Sequence, residues 1–454
     1  MRKRKRSSFG RRLGVFIVVV AIIGFGVLAY YGTRPGAFAF AGGNRVPLDQ
    51  YKDGQPTGVP ADFKDTDPVA RGRYLADAAD CRSCHTADGG APFAGGRPFK
   101  LPFGTLYTTN ITPDKTHGIG NVTDAQFIDV VRNGIDPEGD RLYPAMPYAS
   151  YAYMTDADVL AIKAYLMTLP PVAGAPPENT LKFPYNQRWL MAAWSGLFKP
   201  GDVFKPVADR SAEWNRGAYL VEAMAHCGDC HTPRNLLQAL DNAKKFAGGE
   251  AEGWTAYNIT GDKGSGVGAW SDEELVQYLA TGHASGRGTG SGPMGEAIAL
   301  SFSKMTPSDI RAMVAYLRTV PAIQTPDLPA PKEAAAPADP KQGIAVANAD
   351  PRGEHVFAGA CASCHGWTGT SPLSSRATLT GTRAINDPSA KNVAQIVLSG
   401  SKHPAPGAGI AMPSFGADYT DEEIAAVANY VTGRFGAQAS AITALDVQKM
   451  REMQ

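Results

Sequence analysis

A cysteine, two residues, a second cysteine and a histidine recur three times in this chain, as Cys81-Arg-Ser-Cys84-His85, Cys227-Gly-Asp-Cys230-His231 and Cys361-Ala-Ser-Cys364-His365. The three copies use all 6 cysteines of the 454 residues. Two thiols one helical turn apart can each form a thioether to a porphyrin vinyl group, and the adjacent histidine then stands under the iron as an axial ligand. Zinc would want further ligands near each pair, and a dithiol redox motif would not bring a histidine every time. The spacing predicts three covalently bound haem c groups. Cys81, Cys84, Cys227, Cys230, Cys361 and Cys364 are the attachment points, and His85, His231 and His365 the proximal iron ligands.

Each iron then needs a sixth ligand, and a thioether sulfur raises the potential relative to a second histidine. Met146, in Pro144-Ala-Met146-Pro147, lies 61 residues after His85; Met294, in Gly292-Pro293-Met294-Gly295, lies 63 after His231; Met412, before Pro413, lies 47 after His365. These loop methionines are the expected axial ligands. Met154 and Met305 also match between repeats, but each directly precedes the threonine of a helix start, the place of a hydrophobic staple. His117, His283 and His403 are the histidine alternatives, without a matched place in all three units, and His226 reads as a hydrogen-bonding neighbour of Cys227.

Internal repetition shows what must position these residues. Arg71-Gly-Arg-Tyr74-Leu75 leads into the first motif and Arg216-Gly-Ala-Tyr219-Leu220 into the second. Both continue with Asn-Ile-Thr, at 110–112 and 258–260, then Gly118-Ile-Gly120 or Gly266-Val-Gly268. An N-cap signal follows, Thr123-Asp124 or Ser271-Asp272, and a helix ending at Gly134 or Gly282. Both close with Met-Thr, an acidic residue three positions later and a helix, Met154 to Leu169 and Met305 to Val320. A shorter third unit opens at Arg352-Gly353, forms a helix from Val393 to Leu398, and ends in a helix capped by Tyr419-Thr-Asp421-Glu-Glu423.

The predicted organisation is a basic flank and anchor (1–33), a linker (34–67), unit one (68–170), an aromatic-bearing connection (171–209), unit two (210–325), a linker rich in Pro and Ala (326–344), unit three (345–437) and a tail (438–454). Phe183, Trp189, Trp194 and Phe198 in the first connection call for packing against something, whereas the second reads as an exposed joint.

Arg2 to Arg12 carries seven positive charges and precedes twenty uncharged residues, Leu13 to Gly32. At ~1.5 Å per residue that run can cross a core of ~30 Å, and the basic flank stays cytoplasmic. A cleaved leader is the competing reading, with small residues at Ala37 to Ala41. The run exceeds a usual signal core, so a retained single-pass anchor is expected, with the body on the periplasmic side. Without the flank the body carries a net charge of about −6, which argues against a nucleic-acid partner.

Tyr143-Pro-Ala-Met146-Pro-Tyr148, Phe183-Pro-Tyr-Asn-Gln-Arg188, Ser211-Ala-Glu-Trp-Asn-Arg216 and His231-Thr-Pro-Arg-Asn235, with the order of the three motifs, resemble the triheme cytochrome c subunit of membrane-bound periplasmic dehydrogenases for alcohols, aldehydes and gluconate or other sugars. The resemblance implies a mainly α fold of three tandem class I cytochrome c domains, short helices and long loops around covalent haem, on one N-terminal transmembrane helix in the bacterial cytoplasmic membrane. It implies a catalytic partner of molybdenum, pyrroloquinoline quinone or flavin type, room for a further small subunit, and ubiquinone as acceptor. The retained anchor points to a molybdenum-type aldehyde dehydrogenase ahead of a quinoprotein alcohol dehydrogenase. No nucleotide-binding fingerprint and no catalytic triad or dyad is identifiable, so no catalytic residue is assigned. The readings that compete are a free-standing shuttle to a terminal oxidase and a haem peroxidase or sensor with an open axial site.

Overall fold

A computed structural model of the chain describes residues 7–332, 350–401, 409 and 411–453. Each unit is framed by two helices. The first starts on a side-chain cap: Asp67 for Pro68–Ala78, Ser211 for Ala212–Tyr219 and Asp350 for Pro351–Val356. The second starts on Thr155, Thr306 or Thr420, for Asp156–Leu166, Pro307–Leu317 and Asp421–Phe435. These oxygens satisfy N–H groups that a helix start leaves without an internal partner. The two helices cross at a glycine. A methyl group at Gly72, Gly217 or Gly353 would collide with the carbonyl of Ala161, Ala312 or Ala426, and beside it lies the Cβ of Tyr165, Tyr316 or Tyr430. Short antiparallel hairpins, Pro98–Leu101 with Gly104–Tyr107 and Gly249–Ala251 with Trp254–Ala256, complete the first two units.

The hydrophobic interior departs from the expected three domains. Units one and two share one core, in which Leu75, Met154 and Leu166 join Tyr219, Met224 and Tyr316. Unit three has its own, built on Phe357, Val393, Ile424, Tyr430 and Phe435. The shared core follows from a crossed seam. Tyr74 donates to Asp309 Oδ2 at 2.6 Å, and Tyr219 donates to Asp158 Oδ2 at 2.7 Å, so each unit's tyrosine reaches the other's carboxylate. Arg216 forks onto Asp309 at 2.8 and 2.6 Å, and Arg71 reaches Asp158 at 3.3 Å. Both aspartates are the acidic residues three positions after the capping threonines. In unit three that position is Glu423, which turns back onto Thr420 N in a capping box, and His355 stands where the tyrosines stand.

The segments expected as connections are part of the body. Residues 34–67 run over the seam, where Phe38 and Ala41 enter the shared core and Val46 N donates to Pro206 O. Unit three docks on unit two: Asn392 exchanges hydrogen bonds with the Thr255 backbone, Tyr257 donates to Asp387 at 3.0 Å, and Arg383 donates to Gly264 O and Pro329 O. Of the Pro/Ala-rich linker, residues 333–344 lie outside the described residues. The tail forms a helix, Ala444–Met453, which buries Val447 and Met450 in the third core.

The uncharged run Leu13 to Gly32 lies within a helix, Ser7–Gly32. Among the described residues no helix is long and apolar enough to cross a membrane, and several side chains of this helix fall outside that description.

Asp309 is 1 % exposed, so removing its charge leaves the Arg216 guanidinium buried and uncompensated. We expect Asp309→Asn to cost about 3–5 kcal/mol and to lower the melting temperature of units one and two, read by calorimetry. An unchanged transition would show that the crossed seam contributes nothing to stability.

Candidate functional site

The three Cys-x-x-Cys-His segments follow their first helices directly. Asp80 and His226, immediately before Cys81 and Cys227, adopt left-handed φ values of 53° and 37°, which turn the chain sharply into each attachment segment. The first of these segments is helical from Cys81 to Cys84, and the other two run helically into their histidines, at Gly228–His231 and Ala362–His365.

Each histidine then makes the same bond. Nδ1 of His85 donates to Thr109 O at 2.7 Å, that of His231 to Tyr257 O at 2.6 Å, and that of His365 to Ala377 O at 2.6 Å. The bond fixes the tautomer with its proton on Nδ1 and leaves Nε2 the lone pair that a metal would need. Burial holds all three imidazoles below their ordinary pKa, which keeps them neutral, the form that binds a metal. The accepting carbonyls explain the Asn-Ile-Thr repeats. Thr109 and Tyr257 stand just before Asn110 and Asn258, whose Oδ1 atoms accept from Thr112 N and Thr260 N and whose Nδ2 atoms donate to Val172 O and Ile323 O. The turn that carries the acceptor is thus tied to the end of its unit.

The six cysteines are unbridged and half-buried. Burial pushes the Cys227 and Cys230 thiols up to about 12 and the Cys361 thiol to about 11. Such thiols are not the low-pKa thiolates of a redox dithiol. Paired thiols on one turn, followed by a neutral histidine held by a carbonyl, fit covalent haem.

The methionines are placed less uniformly than their spacing suggests. Met146 sits in a turn, its N–H donating to Tyr143 O at 3.2 Å, and Met412 accepts from Ser401 N at 2.8 Å. Met294 lies in the first turn of a helix, Gly292–Leu300, and not in a loop. Met146 and Met294 pack against the shared core together with Cys81 and Cys227, and Met412 against the third core together with Cys361. Met154 and Met305 are buried in the shared core. His117 is half-exposed beside Asp114. His283 has both ring nitrogens engaged, Nδ1 with Thr289 Oγ1 and Nε2 with Ser375 Oγ, each at 3.0 Å, so it is bound at the contact between units two and three. His226 packs edge-on against Tyr151, and His403 lies outside the described residues.

The seam also brings the sites of units one and two together, which spacing did not reveal. Ser150, four residues after Met146, donates to Asp229 of the second motif at 2.7 Å. Arg97 donates to Ser83 O of the first motif at 2.6 Å and to Glu296, two residues after Met294, at 2.8 Å. Each attachment segment therefore touches the methionine segment of the other unit.

Comparison with known proteins agrees with this geometry. The family description "Cytochrome c" matches residues 69–170, and "Cytochrome C oxidase, cbb3-type, subunit III" matches residues 348–431. The fructose dehydrogenase cytochrome subunit of Gluconobacter japonicus is 39 % identical over 404 residues, covering 84 % of this chain and 82 % of its own. The chain belongs to the cytochrome c subunits of sugar and alcohol dehydrogenase complexes. The gluconate 2-dehydrogenase cytochrome c subunit of Pantoea cypripedii is 39 % identical over 405 residues, 85 % of this chain and 89 % of that one. The alcohol dehydrogenase (quinone) cytochrome c subunit of Gluconacetobacter polyoxogenes is 34 % identical over 401 residues, 85 % and 84 % of the two chains. Cytochrome c domains carry covalent haem c, and the residues of this subunit that would hold it are the paired cysteines and the carbonyl-bound histidines.

His283 is held below the usual imidazole range by burial, with Arg376 adding to the effect. The unfolded chain takes up a proton below about pH 6.5 that the folded cytochrome subunit refuses, so stability is lost as pH falls through that value. The docking of unit three should weaken there by at most about 1.4 kcal/mol per pH unit. His283→Gln should flatten this part of a melting-temperature profile against pH; an unaltered profile would assign the acid sensitivity to other groups.

Proposed function

We propose that this subunit carries three haem c groups, one on each Cys-x-x-Cys-His segment, and relays electrons from a periplasmic dehydrogenase oxidising an alcohol, sugar or aldehyde to ubiquinone in the cytoplasmic membrane. The observation that carries the reading is the crossed contact of the first two sites. A relay needs its carriers close together in a fixed geometry, and the seam holds each attachment segment against the methionine segment of the other unit. When bound, haem iron supplies one-electron exchange between its ferrous and ferric forms. The chain's own residues would hold it: Thr109 O, Tyr257 O and Ala377 O orient the histidines that would bind the iron, and Met146, Met294 and Met412 would supply the sixth ligands.

The helix Ser7–Gly32 anchors the body in this reading. Its uncharged run, its basic flank and the exposure of Leu13, Val15, Phe16, Ile17 and Ile22 support that role. The relatives named for fructose, gluconate and alcohol dehydrogenases support a catalytic partner subunit.

Purification from the native membrane tests the proposal. The subunit should stay with the membrane through a high-salt wash, leave it in mild detergent with a large dehydrogenase subunit, and show the reduced haem band on addition of an aldehyde, alcohol or sugar. A lone cytochrome that none of these reduces would sink it. For the ligands, Met146→Ala, Met294→Ala and Met412→Ala should each convert one haem in three toward high spin; three low-spin spectra like the wild type would remove the assignment.

A further inference from the structure

Two carbonyls that hold the histidines of the attachment segments lie at the contact between units two and three, and each is tied to the opposite unit. Tyr257 O accepts from His231 Nδ1 at 2.6 Å, while the hydroxyl of the same Tyr257 donates to Asp387 Oδ2 of unit three at 3.0 Å. Ala377 O accepts from His365 Nδ1 at 2.6 Å, and Ser375, two residues earlier, meets His283 Nε2 of unit two at 3.0 Å. We propose that this contact is a junction at which each unit fixes the histidine ligand of the other's haem, with Tyr257 and Ser375 as its positioning residues. The inference rests on the reading of the subunit as a three-haem relay and deepens it by naming what ties the second carrier to the third.

On the side of unit two, Tyr257 directly follows the hairpin of Gly249–Ala251 with Trp254–Ala256. One end of that hairpin is tied to the attachment segment, since Gly248 N donates to His231 O at 2.9 Å. Unit three grips the other strand: Asn392 accepts from Thr255 N at 2.8 Å and donates to Thr255 O at 2.9 Å, and the Tyr257 hydroxyl ends on the buried Asp387. A carbonyl held on both flanks stays in line with the imidazole. Unit one is arranged differently. Its carbonyl belongs to Thr109, whose side chain is too short for such a reach, and the hairpin before it is held by Asn179 and Thr180 of the connection.

On the side of unit three, Ser375–Ala377 form a single tight turn. His283 Nδ1 faces Gly288 O at 3.2 Å and Thr289 Oγ1 at 3.0 Å; a carbonyl can only accept, so Nδ1 carries the proton and Nε2 accepts from the Ser375 hydroxyl. Arg376 is gripped as well, its carbonyl accepting from Thr289 Oγ1 at 3.1 Å and its Nη2 donating to Thr281 O at 3.0 Å. The turn that presents the Ala377 carbonyl is thereby clamped onto unit two. A firm bond at Nδ1 makes the imidazole a more basic ligand and favours ferric iron, so a carbonyl released from its clamp raises the potential of that haem. Both positioning side chains are neutral, and removing either hydroxyl alters the hydrogen bond without changing the charge beside the iron.

The test is a potentiometric titration of the full chain in detergent, followed in the haem absorption band. Tyr257→Phe and Ser375→Ala should each raise one of three potentials, and not the same one, while the other two stay in place. The expected size is about a three-fold change in the ferric-to-ferrous ratio, or ~28 mV at about 59 mV per tenfold for one electron. Ser375→Thr, which keeps the hydroxyl, should retain the wild-type potentials. Either Tyr257→Phe or Ser375→Ala leaving all three potentials unmoved, or both moving the same one, overturns the junction. Haem content by the pyridine haemochrome assay separates this failure from the larger one. Three haems per chain with unmoved potentials remove the junction and leave the relay, whereas fewer than three in the wild type remove the three-haem reading and the junction with it.

Discussion

Where the helix Pro68–Ala78 crosses Asp156–Leu166, the α-carbon of Gly72 lies so near the Ala161 carbonyl that no side chain fits between them, and the same approach recurs at Gly217 with Ala312 and at Gly353 with Ala426. This crossing sets the rest of each unit. The first helix delivers the attachment segment, and the second carries the tyrosine that closes the crossing. A glycine costs a helix roughly 1 kcal/mol relative to alanine. That cost is accepted three times because close helix contact fixes where the cysteines emerge.

The second constraint is the burial of charge between units one and two. Asp158 and Asp309 are nearly inaccessible to water, and a carboxylate there is tolerable only when fully paired. Each takes a tyrosine from across the seam, Tyr219 for Asp158 and Tyr74 for Asp309, and an arginine from its own unit, Arg71 and Arg216. Separating the units would remove the tyrosine hydrogen bond from both. The pairing therefore specifies one relative arrangement, and that arrangement presses each attachment segment against the methionine segment of its neighbour. Unit three has a capping glutamate and a histidine at the corresponding places, so it keeps a separate core and docks through hairpin and loop contacts instead.

Electrostatics and location meet at the other end of the molecule. The aromatic connection between units one and two divides its labour: Trp194 packs against Tyr148 and Phe198, while Phe183 and Trp189 are exposed. A stretch expected simply to pack against something therefore has two faces, one against the body and one exposed.

Much of this was legible in the sequence. Covalent haem attachment depends on thiols one turn apart and a neighbouring histidine, a local relation that spacing alone states. Helix starts were equally local, since Thr123, Ser271 and Thr420 cap the residues beside them. The repeats gave the units and the paired Asn-Ile-Thr turns, although not the reason for those turns, which is a backbone carbonyl held for a histidine some 25 residues away. Met294 misled because proline and glycine beside it suggested a loop, whereas proline is equally at home in the first turn of a helix. The acidic residues three positions after Met-Thr stood out only as part of the repeat, and in the structure Asp158 and Asp309 are buried and accept from the other unit's tyrosine. What the sequence by itself determined was therefore the chemistry of attachment and the boundaries of the helices, which depend on residues within a turn or two of each other. The tertiary structure alone decided that two units share one core, that their sites touch, and that the third unit docks on the second, because each depends on contacts between residues scores of positions apart.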